Sequence, residues 1–144
     1  MTIYTLGYSG WKIEEIQAQL DRLGAVLVDV RMVPRSRAPI WNGSTFRKRL
    51  GDRYIWLKEF GNRNYKGTFE QIEIADFPAG ETRLRKFLAK DAVFKAIVLL
   101  CGCKDVNICH RKVLAQRLAQ TWQAAVVHLT RPDNEISDSQ PTLF

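Results

Sequence analysis

The sequence predicts a single α/β domain whose mostly parallel sheet is flanked by helices. Three observations carry this: a strand, helix and strand within the first 30 residues; two short apolar runs at 25–30 and 96–101; and a second helix–strand alternation toward the C-terminus. Residues 3–8 alternate Ile3, Thr5 and Gly7 with Tyr4, Leu6 and Tyr8, a strand that Gly10 ends. From Ile13 through Ile16, Leu20 and Leu23 the apolar residues recur at helical spacing, and Gly24 stands where a left-handed cap is wanted. Residues 25–30, Ala-Val-Leu-Val-Asp-Val, suit a strand buried on both faces.

Residues 31–80 form a long, irregular, basic middle. It holds a short helix from Ser44 to Leu50, a strand over Tyr54–Leu57 and a Gly61–Gly67 loop. A stretch this long without clear periodicity carries function more often than packing. Leu84, Phe87 and Leu88 then mark a helix, Ala96–Cys101 a buried strand, and Val113, Leu114, Leu118 and Trp122 another helix. Residues 124–129 make a last strand. The domain is expected to span 1–130, with 131–144 a polar, flexible tail.

The 144 residues exclude two full domains, and 46% apolar with 26% charged residues excludes a disordered or fibrous chain. No apolar run approaches the roughly 20 residues of a membrane span, and no export signal is visible at the N-terminus. Three cysteines, all between 101 and 109, cannot build a disulfide framework. They point to a reducing cytosol and to thiols that are free or metal-bound.

The formal charge of +7 is unevenly placed. Between Arg31 and Arg53 stand seven bases and a single acid, Asp52, a net +6. Arginine forks match phosphate oxygens, and the strand end at Asp29-Val-Arg31 is where ligands of α/β sheets collect, so Arg31, Arg35, Ser36 and Arg37 are assigned to phosphate. Asp29 is read as a structural lock. Arg47, Lys48, Arg49 and Arg53, with Trp41 interleaved, form a candidate nucleic-acid surface; a solvated helix face with a few ion pairs is the alternative.

The densest chemistry is Cys101-Gly-Cys103-Lys-Asp-Val-Asn-Ile-Cys109-His110-Arg111, between a strand and a helix. With Asn107 as cap, Cys109 and His110 fall in the first helical turn. There the free N–H groups and the dipole favour an anion and a lowered thiol pKa, making Cys109 and His110 the candidate reactive groups and Arg111 a phosphate ligand. A second reading has Cys101, Cys103, Cys109 and His110 hold zinc, but C-x-C-x5-C-H lacks the familiar paired C-x2-C, and no metal or cofactor is assigned. A third has Cys101 in the core and His110 and Arg111 merely holding neighbours. His128 is read as a satisfied core or rim residue.

Thr5-Leu-Gly-Tyr-Ser9, Val28-Asp-Val-Arg31, Pro34-Arg-Ser-Arg37, Leu57 through Phe60-Gly-Asn62, and Leu99-Leu-Cys101 with Cys109-His-Arg111 together resemble the domain-of-unknown-function 488 family of small, mainly bacterial proteins. The resemblance implies the fold and a pocket, but no reaction. Many members carry Glu where this chain has Cys103, so a general acid or base supplied by that Glu would be missing here. A looser likeness to rhodanese-type and phosphatase domains fails on its cysteine-to-arginine intervals. The terminal Gln140-Pro-Thr-Leu143-Phe144 resembles the peptide by which bacterial replication and repair proteins dock on the sliding clamp. The leading function read from these residues is a DNA- or nucleotide-associated protein with a phosphate pocket; the alternatives are a small-molecule thiol enzyme using Cys109 and a non-catalytic adaptor on the clamp.

Overall fold

A computed structural model describes residues 1–67, 71–91, 93–103 and 105–131. The strands are β1 (Thr2–Gly7), β2 (Ala25–Asp29), β3 (Tyr54–Trp56), β4 (Ala96–Cys101) and β5 (Val126–His128). The helices are α1 (Ile13–Leu23), α2 (Gly43–Leu50), α3 (Phe77–Asp91) and α4 (His110–Trp122). The strands form one sheet in the order β3-β2-β4-β1-β5, with every pairing parallel.

Local chemistry explains most boundaries. The backbone N–H of Lys12 donates to Glu15 Oε1 at 2.8 Å at the start of α1, and Gly24 ends that helix at φ 61°. Ile13, Ile16 and Leu20 give α1 one buried stripe. β2 and β4 are buried along their whole lengths, as strands covered on both faces must be.

The sheet separates two cores. Leu6, Leu27, Val98 and Leu100 pack against Ile16 and Leu20 of α1 and Phe46 of α2, while Ile3, Val28, Ile97 and Leu99 face Leu84 of α3 and Leu114 and Leu118 of α4. Adjacent strands β1 and β4, in register from Thr2↔Ala96 to Gly7↔Cys101, thus lead into helices on opposite faces. This opens a crevice at their carboxyl ends, the ligand site of open α/β sheets.

Three expectations change. α3 begins at Phe77, inside the stretch read as irregular. The last strand shortens to three residues because, at the sheet edge, it pairs only with β1, at Ile3↔Val126 through Thr5↔His128. Asn107 does not cap α4: its N–H donates to Asp105 Oδ1 at 2.9 Å, closing a 3-10 turn over Val106–Ile108, and Cys109 becomes the residue before the helix. No helix among the described residues is long and apolar enough to cross a membrane.

Candidate functional site

A cavity of about 580 Å³ opens at the carboxyl ends of β1, β2 and β4. Tyr8 follows β1, Arg31 and Arg35 follow β2, Cys101 ends β4 with Cys103 just beyond it, and His110 joins them from the start of α4. Asn62, Asn64 and Tyr65 line it from the middle segment. Two of these are committed to holding their own loop: Asn62 Oδ1 accepts from the N–H of Asn64 and of Glu73, and Asn64 Nδ2 donates to the Gln71 carbonyl.

The wall beside β2 is a charged lock. Arg31 Nε donates to Asp29 Oδ1 at 2.8 Å and its Nη2 to Oδ2 at 2.6 Å; Nη1 donates to the Trp41 carbonyl at 2.8 Å and to the Tyr8 hydroxyl at 3.4 Å. The Tyr54 hydroxyl donates to Asp29 Oδ2 at 2.6 Å, and Trp56 Nε1 to the Arg31 carbonyl at 2.8 Å. Burial works against the Arg31 charge, and the hydrogen bonds and charge of Asp29 outweigh it, holding the guanidinium above its ordinary value. Burial, reinforced by the Asp29 charge, pushes the Tyr54 phenol far up. Asp29 is the structural lock the sequence suggests. Arg31, expected on phosphate, lines the cavity with its fork already turned to a carboxylate, a carbonyl and a hydroxyl.

Arg35 is exposed and lines the same cavity. Ser36 is spent on the loop, its N–H donating to Asn42 Oδ1 and its Oγ accepting from Ala38. Arg37 is exposed but is not among the residues lining the cavity.

At the end of β4 the three sulfurs converge. Cys101, Cys103 and Cys109 place their Sγ atoms within 4.8 Å of one another, and those of Cys101 and Cys109 meet, where the sequence reading expects separate thiols. Cys109 is 1% exposed and lies behind the cavity wall, so the thiol on the open side is Cys103, which is half-buried and held above its ordinary pKa by burial. His110 Nε2 stands 2.7 Å from the Val30 carbonyl and therefore carries the hydrogen, leaving Nδ1 as the acceptor, 4.0 Å from Cys109 Sγ. Burial lowers its pKa, and the nearby Arg111 charge adds to that.

Arg111 is buried. Its Nη1 donates to the Cys103 carbonyl at 2.7 Å and to Cys101 Sγ at 3.7 Å, and its Nε to Thr5 Oγ1 at 3.3 Å. It buttresses the cysteine loop and, unlike the expectation of a phosphate ligand, does not line the cavity.

The bases of α2 and of the turn that follows it lie elsewhere, on the layer shared with α1. Arg49 meets Glu14 at 3.5 Å and Gln17 at 3.0 Å, Arg53 meets Asp21 at 2.8 Å, and Arg47 lies over the Tyr54 ring at 5.4 Å; Lys48 is exposed. Trp41 stacks on Tyr8 at 4.8 Å and against Phe46, so one ring face is taken. Gln140, Leu143 and Phe144 lie outside the described residues. Sequence reasoning passed over Tyr8 and Tyr65 as cavity residues. The signals were their places, directly after a strand for the first and inside the Gly61–Gly67 loop for the second.

The family described as Domain of unknown function DUF488 matches the chain over residues 12–118. No curated protein and no solved structure matches it.

Proposed function

We propose, from the premise that this chain belongs to the DUF488 family, that its cavity receives a small phosphate-bearing ligand such as a nucleotide. The observation that carries this reading is Arg35, an exposed guanidinium on the wall of a cavity at the carboxyl ends of parallel strands. Its two neighbours in sequence logic, Arg31 and Arg111, are engaged internally, so ligand charge falls to Arg35. A volume of about 580 Å³ lies within the roughly 300–1,000 Å³ typical of small-molecule sites. Tyr65, 51% exposed, offers flat apolar surface for a base.

Contact with duplex DNA through Arg47, Lys48, Arg49 and Arg53 has less support, because Arg49 and Arg53 already face carboxylates on α1. A nucleophilic Cys109 has less support as well, since the thiol is enclosed and meets Cys101.

Calorimetric titration with inorganic phosphate, a nucleoside monophosphate and a nucleoside diphosphate at low salt tests the proposal, with a short DNA duplex as a parallel arm. Nucleotides should bind and Arg35→Ala should weaken them about tenfold or more, the scale of one charge-assisted hydrogen bond. Nucleotide affinity unchanged in Arg35→Ala, or binding by the duplex alone, refutes it.

A further inference from the structure

We propose that Cys101, Cys103 and Cys109, with His110 Nδ1 as the fourth donor, form a zinc-type metal centre in the cavity wall. The inference is independent of the phosphate reading, because it rests on the cysteine cluster and not on Arg35.

Four observations converge on it. The three Sγ atoms lie within 4.8 Å of one another, although Cys103 and Cys109 are separated by a turn of chain. A tetrahedral zinc–thiolate centre, with bonds of about 2.3 Å, sets its sulfurs roughly 3.8 Å apart, so the Cys101 and Cys109 sulfurs, which meet, must part to admit the ion between the three. Cys101 and Cys109 have Cα atoms 7.9 Å apart. That exceeds the roughly 4.4–6.8 Å usual for a disulfide, whereas two thiolates reaching toward a common ion from opposite sides tolerate it.

His110 supplies the third observation. A histidine that ligates through one ring nitrogen commonly donates its other N–H to a carbonyl, which fixes tautomer and ring orientation. Here Nε2 is tied to the Val30 carbonyl at 2.7 Å, and the free Nδ1 faces Cys109 Sγ at 4.0 Å. Cys109 and His110 are adjacent at the start of α4, where the chain turns from extended backbone, φ −110° and ψ 141° at Cys109, into helix. The bend sets the His110 ring beside the Cys109 sulfur, the nearest imidazole to the cysteine cluster.

The fourth observation is electrostatic. Among the described residues Arg111 makes no carboxylate ion pair, and it is buried with its fork on the Cys103 carbonyl and Cys101 Sγ. A buried cation with no carboxylate on its fork gains from a negative group placed against it. A divalent ion with three thiolates and one neutral imidazole carries a net single negative charge, and Arg111, 3.7 Å from one of the sulfurs, offsets it. Binding releases the thiol protons to solvent and changes no oxidation state. Ligands of borderline softness and this N/S composition select zinc over magnesium or calcium.

The probe is zinc, with cobalt(II) as its spectroscopic substitute, added to the full chain after reduction by a phosphine and removal of metal by a chelator. The expected result is one ion per chain retained through gel filtration, with cobalt giving strong thiolate charge-transfer and tetrahedral visible absorption. Cys103→Ser, at a half-buried position, should keep the circular dichroism of the parent. It should lose affinity by more than the roughly 10–100-fold typical of changes to outer partners of a metal site. A reduced chain that gives no cobalt–thiolate absorption, that forms a Cys101–Cys109 disulfide in place of retaining zinc, or whose Cys103→Ser variant binds as tightly as the parent overturns the proposal.

Discussion

At the scale of single residues, the lock around Asp29 is the firmest feature of the site. The carboxylate is fully enclosed and takes Arg31 on both oxygens and Tyr54 on one. Removing it strands a buried guanidinium, so Asp29→Ala should cost about 3–5 kcal/mol, whereas Tyr54→Phe leaves the ion pair and should cost about 1–3 kcal/mol. Urea midpoints of the two variants measure this order; equal costs would mean that the phenol, not the charge pair, bears the strain. Part of the lock is legible in sequence, since Asp29 and Arg31 stand two apart and face the same way. What sequence could not show is that Arg31 is also taken by Trp41 and Tyr8, partners 10 and 23 residues away. Residue type at a strand end suggests phosphate for Arg31, and only the fold brings in the long-range partners that its fork also serves. Arg111 repeats the lesson, reaching Thr5 across 106 residues.

At the scale of elements, the structure depends on how closely the loop after β4 crosses the end of β1. A Cβ built on Gly7 would lie 1.6 Å from the Cys103 carbonyl oxygen and 2.8 Å from Arg111 Nη1. Gly7→Ala must therefore push the loop away from the strand, breaking the Arg111 bond to the Cys103 carbonyl. The expected readout is a loss of several kcal/mol in urea unfolding, on the scale of overpacking by about 1–3 kcal/mol plus the lost buried hydrogen bond. A variant as stable as the parent would show that the crossing yields freely. β2 and β4 were readable as strands because continuous apolar runs need no partner to be recognised. The start of α4 was not, because Asn107 and Asp105 are both good caps and the chain uses Asp105 for a preceding 3-10 turn. One cap choice moved Cys109 from inside the helix to its threshold, and with it the expected geometry of the site.

At the scale of the whole molecule, the +6 stretch is divided by the fold. Arg31 turns inward, Arg49 and Arg53 meet acids of α1, and Arg35 remains at the cavity. Charge counted along a chain thus overstates the field presented by one face. The histidines give the molecule a pH signature. Burial lowers the pKa of His128, with the charges of Arg111 and Lys112 adding to it, and that of His110 moves the same way. Below the unfolded value of about 6.5 the unfolded chain binds more protons than the native one. This part of the stability is present above that pH and falls as acid is added. Thermal unfolding between about pH 7.5 and about pH 5.5 should show the decline, and His128→Gln should flatten part of it; an equally steep decline in that variant removes His128 as a cause.

The order β3-β2-β4-β1-β5 leaves two three-residue strands at the rims of the sheet. The long, sticky strands β2, β4 and β1 are all interior, and what faces outward is too short to template a neighbouring chain. A molecule with this arrangement guards against fibre-like self-association by geometry, without needing charges along its edges. Its vulnerability lies at β5, held by three register pairs to β1 alone: once that strand detaches, the six-residue flank of β1 becomes an open template.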